Sequence, residues 1–168
     1  MTPHQDNPVE PGGLVVLIGP AGSGKTTFSS TRPENQVVEL DTLRALVNGG
    51  DAGDQGATKD AVRIQNIVLD ARLERGETLY LDSTNAEFAV RAYLVARARH
   101  YGRPTVAVAF TTPLDECLRR NAERPPARRV PEDEVSRQHR LIAEALPRLV
   151  GEGFDEVRLH SAADAENC

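Results

Sequence analysis

Eight residues near the start of the chain, Gly19-Pro20-Ala21-Gly22-Ser23-Gly24-Lys25-Thr26, constrain the fold more than any other feature. They match the spacing G-x-x-x-x-G-K-[ST] and follow the short apolar run Leu14 to Ile18, so a strand, a glycine-rich turn and a helix start are expected in that order. Glycines let the backbone curl into a nest whose N–H groups point inward, and the helix that starts near Lys25 adds the positive end of its dipole. Anionic oxygens are held there with no side chain in the way. Gly19, Ala21, Gly22, Ser23, Gly24 and the following Thr27 are the expected backbone contacts to phosphate. Lys25 reaches the outer phosphates, and the Thr26 hydroxyl is the expected ligand of a bridging Mg2+. The motif implies a nucleoside triphosphate and leaves the acceptor open.

The rest of the chain indicates an α/β fold. Apolar runs at Leu14 to Ile18, Gln36 to Leu40, Thr78 to Leu81, Thr105 to Phe110 and Glu156 to His160 alternate with segments of helical period. That alternation predicts a short central parallel sheet of about five strands with helices on both faces, three layers in all. Thr58 is expected to cap a helix running to about Arg75, stopped by Gly76, and a second helix spans Glu87 to Tyr101 before Gly102. With 168 residues, one compact domain is expected over residues 13–160, with loose ends at 1–12 and 161–168. No run approaches the ~18 apolar residues of a membrane span, and the N-terminus lacks a basic region followed by an apolar one. Cys117 and Cys168 suggest neither a disulfide framework nor a metal quartet. A soluble, cytoplasmic protein is expected.

Charge narrows the partners. The formal net charge is −5, and 18 of the 20 basic residues are arginines. Broad sequence-independent wrapping of nucleic acid needs a large basic face and is disfavoured, whereas a local grip on a strand end is compatible with this balance.

Two segments break the simple pattern. Asn48 to Ala57, NGGDAGDQGA, is too polar for core and long for a connection, so it reads as a flap over a site, with Gln55 and the adjoining Thr58 as candidate acceptor contacts. In Arg119 to Val130, RRNAERPPARRV, a proline pair interrupts the helix and five arginines meet one glutamate. That composition predicts an arginine-bearing lid at about 119–131. Arg120, Arg124 and Arg128 are the candidates to close on the charge that develops on a transferring phosphoryl group, with Arg124 foremost because Pro125 fixes its backbone at the bend.

Ligands in open α/β sheets bind beyond the carboxyl ends of the strands, where Asp41 and Asp82 lie. Asp41 either caps the following helix or accepts the proton of an attacking hydroxyl, with Arg44 beside it to hold an acceptor phosphate. Asp82, opening DSTN, either starts a helix or joins the Mg2+ shell, with Thr84 and Asn85 able to orient it. The four histidines are scattered, and none sits at metal-ligand spacing.

These residues together resemble the kinase domain of bacterial polynucleotide kinase-phosphatase and the phage-type 5′-hydroxyl polynucleotide kinases. The likeness runs from Leu14 to about His160 through GPAGSGKTTF, DTLRALV, GDAGDQGATKDA, LDSTN, ARARHYGRPTVAVAF, CLRRNAERP and EGFDEVRLH, in that order. It implies a P-loop kinase fold and transfer of the ATP γ-phosphate to the 5′-hydroxyl of DNA or RNA. Asp41 would be the general base, Arg44 an acceptor-phosphate ligand, Lys25 and Thr26 the phosphate and metal contacts, and Arg120, Arg124 and Arg128 the lid set. The lid aligns only with one residue inserted, so its third arginine is Arg128 or Arg129. Phosphatase and ligase modules are not in the sequence, and the chain works either alone or with a separately encoded phosphatase or ligase. The competing expectations are a P-loop kinase of a small-molecule hydroxyl, such as a nucleoside, sugar or antibiotic, and a nucleotide-binding module that transfers nothing.

Overall fold

The computed structural model describes residues 12–161. The expected loose ends at 1–12 and 161–168 lie, except for Gly12 and Ser161, outside the described residues. The elements follow the order β1 (Leu14–Ile18), α1 (Lys25–Ser29), β2 (Val37–Glu39), α2 (Leu40–Asn48), α3 (Thr58–Arg75), β3 (Leu79–Asp82), α4 (Phe88–His100), β4 (Thr105–Phe110), α5 (Leu114–Ala122), α6 (Glu132–Ala145) and β5 (Glu156–His160). Short 3-10 turns occupy Glu34–Gln36, Gln55–Ala57, Pro126–Arg128 and Leu146–Glu152.

All five strands are parallel, in the order β2-β3-β1-β4-β5. Every residue of β1 and β4 is buried, as expected for strands covered on both sides. Successive side chains point to opposite faces, and two cores result. On one face Leu14, Val16, Ile18, Leu79 and Leu81 pack with Leu69 and Leu73 of α3, Leu94 and Val95 of α4, and Ile142 and Leu149. On the other, Val15, Leu17, Tyr80, Val106, Val108 and Phe110 pack against Phe28 of α1. The expected three-layer α/β architecture is the one observed.

Two local differences bear on the site. The second strand stops at Glu39, and Leu40 and Asp41 already belong to the first turn of α2. Thr58 does not cap α3. Its backbone is helical (φ −58°, ψ −41°) because a 3-10 turn feeds directly into the helix, and the capping side chain is Asp54, which accepts the Gly56 N–H at 2.8 Å. An N-cap needs a non-helical backbone, which Thr58 lacks.

Strand order places the carboxyl ends of β1, β2 and β3 side by side. In the β2–β3 register Glu39 lies opposite Asp82, so two carboxylates sit at the same edge as the glycine-rich turn after β1. Among the described residues, no helix is long and apolar enough to cross a membrane.

Candidate active site

The turn after β1 is held from three sides. Gly19 donates its N–H to the Thr84 carbonyl at 3.2 Å, and the Thr112 hydroxyl donates to the Ser23 carbonyl at 2.8 Å. The Ala21 N–H donates to Gln138 Oε1 at 3.1 Å. Gly22 has φ +81°, and a β-carbon there would lie 2.2 Å from the Cys117 carbonyl oxygen. Only glycine meets both conditions. Gly24, at φ +103°, opens directly into α1, so the loop is a left-handed turn ending at a helix N-terminus.

Lys25 is buried, and its ammonium folds back to donate to the Gly19 and Pro20 carbonyls at 2.7 and 2.8 Å. Burial lowers its pKa to about 8, partly offset by the nearby Asp82 carboxylate. An anion beside it would restore the charged form. The Ser23 hydroxyl oxygen is buried with no hydrogen-bond partner, an orphaned polar atom of the kind a bound anion satisfies. These features fit a phosphate chain.

Asp82 ends β3, is buried, and accepts the Ser29 hydroxyl at 2.7 Å. Thr26 and Asp82 supply the hard oxygen donors that suit Mg2+. Among the described residues no group of three or more His, Cys, Asp or Glu could hold a metal. The donor set therefore fits an ion carried chiefly by substrate phosphates and water, as Mg2+ commonly is.

Asp41, in the first turn of α2, is joined to Arg44 Nη2 one turn on, and Arg44 Nε donates to the Ala52 carbonyl at 2.9 Å. Arg44 thus ties the carboxylate to the polar 48–57 segment. The lid segment leaves α5 and returns into α6. Asn121 clamps its base, with Nδ2 donating to the Val130 carbonyl at 2.7 Å and Oδ1 accepting the Val130 N–H at 3.1 Å. Arg129 Nε donates to the Arg124 carbonyl at 2.7 Å across the bend.

A cavity of about 440 Å³ lies between these parts. Its walls are Ala21, Lys25 and Thr26 from the P-loop, Glu39, Leu40, Asp41 and Arg44 from the second strand and helix, and Asp82, Ser83 and Thr84 after β3. Ala52, Gly53 and Gln55 come from the flap, Arg124 and residues 127–131 from the lid, and Glu134 and Gln138 from α6. Of the sequence-predicted residues, Lys25, Thr26, Asp41, Arg44, Gln55, Asp82, Arg124, Arg128 and Ala21 meet in this cavity. Gly19, Gly22, Ser23, Gly24 and Thr27 belong to the loop and the helix it opens but do not line the cavity, and the Gly19, Ala21 and Ser23 N–H groups, expected to meet phosphate, donate instead to the Thr84 carbonyl, Gln138 Oε1 and the Pro20 carbonyl. Thr58 stands off it, its hydroxyl oxygen buried without a partner. Arg120 also stands off it: its Nη1 would be 3.6 Å from a β-carbon on Gly24, while its Nε donates to Glu116 Oε1 at 2.5 Å. Arg119 and Arg120 together hold the Glu116 carboxyl down to about 2.

Glu39, Ser83, Glu134 and Gln138 are wall residues that the sequence does not single out, and Arg128 and Arg129 are alternatives in the sequence. Both arginines line the cavity. Glu39 was the most accessible of the missed residues, since it ends a strand as Asp82 does. Glu134 and Gln138 sit four residues apart on one helix face, a spacing visible in sequence but aimed at the site only by the packing of α6.

No curated protein sequence matches the chain. Solved structures give the fold. A chain of the Pnkp1/Rnl/Hen1 RNA repair complex superposes with a TM-score of 0.70 at 19% identity, covering 85% of this chain and 48% of that one. The AvrRxo1-ORF1:-ORF2 complex with ATP gives 0.70 at 14% identity over 89% of this chain and 54% of the other. The gluconokinase from Sinorhizobium meliloti 1021 gives 0.57 at 18% identity over 94% and 88%. The chain spans about half the length of the first two, and all three likenesses speak to fold alone. A family-wide sequence profile described as AAA domain matches residues 14–148. The chain therefore belongs to that AAA domain family, AAA_33, a family of P-loop kinase-like domains.

Proposed function

We propose that the protein is an ATP- and Mg2+-dependent 5′-hydroxyl polynucleotide kinase. The observation that carries this reading is the meeting of Asp41 with Lys25 and Thr26 on the walls of one cavity. A base is of no use to a module that only binds nucleotide. Asp41 accepts the proton of the attacking 5′-hydroxyl, the oxygen forms a bond to the γ-phosphorus, and the bond to the β,γ-bridging oxygen breaks to release ADP. Lys25 leaves the Gly19 and Pro20 carbonyls to follow the charge moving onto the leaving group, and Arg124 and Arg128 face the transferring phosphoryl oxygens. Mg2+, held by Thr26 and Asp82, would neutralise the phosphate chain. Arg44 places its guanidinium between the base and the flap, where the phosphate next to a 5′-terminal nucleoside would lie. Support for a polynucleotide acceptor comes from the ordered motifs, carried on a fold shared with a chain of an RNA repair complex.

One observation favours a second reading, a small polyhydroxyl acceptor. The flap meets the lid at Gly53 and Ala127, and the cavity volume of about 440 Å³ suits a triphosphate with a compact acceptor. Incubation with γ-labelled ATP and Mg2+ decides between them. Label on 5′-hydroxyl DNA or RNA oligonucleotides is expected; label only on members of a nucleoside, sugar and antibiotic panel would install the second reading, and label on neither would sink both.

A further inference from the structure

A relay of side chains runs from α6 to the rim of the P-loop. Gln138 accepts the Ala21 N–H on Oε1 at 3.1 Å and donates from Nε2 to Glu134 Oε1 at 3.0 Å. Glu134 also accepts from Arg137, Nε to Oε2 at 2.7 Å and Nη2 to Oε1 at 2.9 Å. Arg137 Nη1 reaches Glu87 Oε1 at 2.9 Å, so the relay is anchored at the start of α4. Chemistry fixes the orientation of the Gln138 amide, because a backbone N–H can only donate and an ionised carboxylate can only accept. Glu134 is ionised, since Arg137 holds its carboxyl below the ordinary value.

The side of the loop that Gln138 grips decides what it does. Ala21, Lys25 and Thr26 line the cavity shared with Asp41, whereas Gly22, Ser23 and Gly24 do not. A phosphate chain laid along the loop with its inner phosphates at Gly22 and Gly24 would put its outermost phosphate on the Asp41 side, against the Ala21 rim.

We infer that Gln138 is a positioning residue that holds the Ala21 rim for the third phosphate of a nucleoside triphosphate and gives the site its preference for triphosphate over diphosphate. The inference rests on the nucleotide-binding part of the proposed function and is independent of the acceptor. Because α6 begins where the lid returns, at Pro131, the same side chain also ties the lid's C-terminal end to the loop.

Calorimetry with Mg2+ and either a non-hydrolysable ATP analogue or ADP tests this on the wild type, Q138L, Q138E and the exchanged pair E134Q/Q138E, with thermal unfolding recorded for each. Q138L should weaken the analogue about tenfold and ADP less than about twofold. Q138E sets two carboxylates against each other and should do the same. The exchange returns one amide and one carboxylate to the relay, with an acceptor facing Ala21, and should recover analogue binding to within about threefold. Equal losses for both nucleotides in Q138L, a drop in melting temperature without a change in analogue affinity, or a folded exchange variant that recovers nothing would each overturn the inference. A wild type that binds neither nucleotide would overturn the proposed function and the inference with it.

Discussion

Gly53 and Ala127 meet across the mouth of the cavity: a β-carbon on Gly53 would lie 2.0 Å from the Ala127 carbonyl oxygen. In the proposed function the flap serves the acceptor and the lid the donor, and this contact makes the position of one depend on the other. Gly53→Ala puts a methyl group into that carbonyl. Both segments are surface loops, so the clash is relieved by the lid moving away rather than by unfolding. The expected result is a turnover about tenfold to a hundredfold lower, through misplaced lid arginines, with global stability within ~1 kcal/mol of wild type. Steady-state kinetics beside urea denaturation checks it, and undiminished turnover would show that the two segments close independently.

Asp41→Asn keeps the size of the side chain and removes the base. Turnover should fall by ~10² to 10⁴, the range a positioned general base contributes, while the ATP dissociation constant stays within about threefold, because Asp41 belongs to α2 and not to the P-loop. Single-turnover label transfer and calorimetry separate the two. Retained transfer would remove Asp41 from the role of base.

The parts of this site that lie at strand ends were legible in the sequence, and the parts made by packing were not. Lys25, Asp41 and Asp82 each follow an apolar run bounded by turn residues, and strand ends in a parallel sheet converge by topology alone. Asn121 clamps Val130 from nine residues away, and Gln138 reaches Ala21 from 117 residues away. Neither pairing leaves a mark on local composition or period. The Thr58 expectation failed for a related reason: a capping residue is identified by its backbone conformation, and the preceding 3-10 turn had already made that backbone helical.

Lys25 makes the fold sensitive to alkaline pH. Its ammonium titrates at about 8 in the folded protein against 10.5 ordinarily. Below pH 8 it is charged in both states and the fold bears the full desolvation cost. Between about 8 and 10.5 the folded protein has released the proton and the unfolded chain still binds it, so stability rises across that window. The unfolding free energy of wild type minus that of Lys25→Met should therefore increase by up to about 3 kcal/mol from pH 7.5 to 10.5. ATP binding near pH 8.5 should take up a proton fraction in wild type and none in the variant, read from calorimetry in two buffers of different ionisation enthalpy. A pH-independent difference in stability would reject the depressed value.

Arg91 and Glu152 form a buried ion pair, Nε to Oε2 at 2.6 Å, with side chains 2% and 7% exposed. Arg91 Nη1 also donates to the Asn85 and Ala86 carbonyls at 3.0 and 2.5 Å, which fixes the turn that carries Ser83 and Thr84. Glu152→Ala leaves a guanidinium buried without its counter-ion and should cost about 3 to 5 kcal/mol. The double change R91M/E152L should cost less than Glu152→Ala alone. Urea unfolding measures both, and a larger loss in the double variant would mean that the carbonyl contacts of Arg91 outweigh its charge pairing.

Substitution of Arg44 should separate the two acceptor classes. Its Nη2 holds Asp41 and its Nε holds the Ala52 carbonyl, which leaves Nη1 to meet a ligand. An acceptor with a phosphate beside its reacting hydroxyl gains a charge-assisted bond there, worth roughly 1.5 to 3 kcal/mol. Arg44→Ala should therefore lower kcat/KM about tenfold to a hundredfold more on a 5′-hydroxyl dinucleotide than on the corresponding nucleoside. Part of the loss is common to both, because the variant also frees Asp41 and the flap. The comparison between acceptors cancels that shared part and isolates the phosphate contact. Equal losses on the two would confine Arg44 to holding the base and the flap, and would favour a small hydroxyl acceptor over a polynucleotide end.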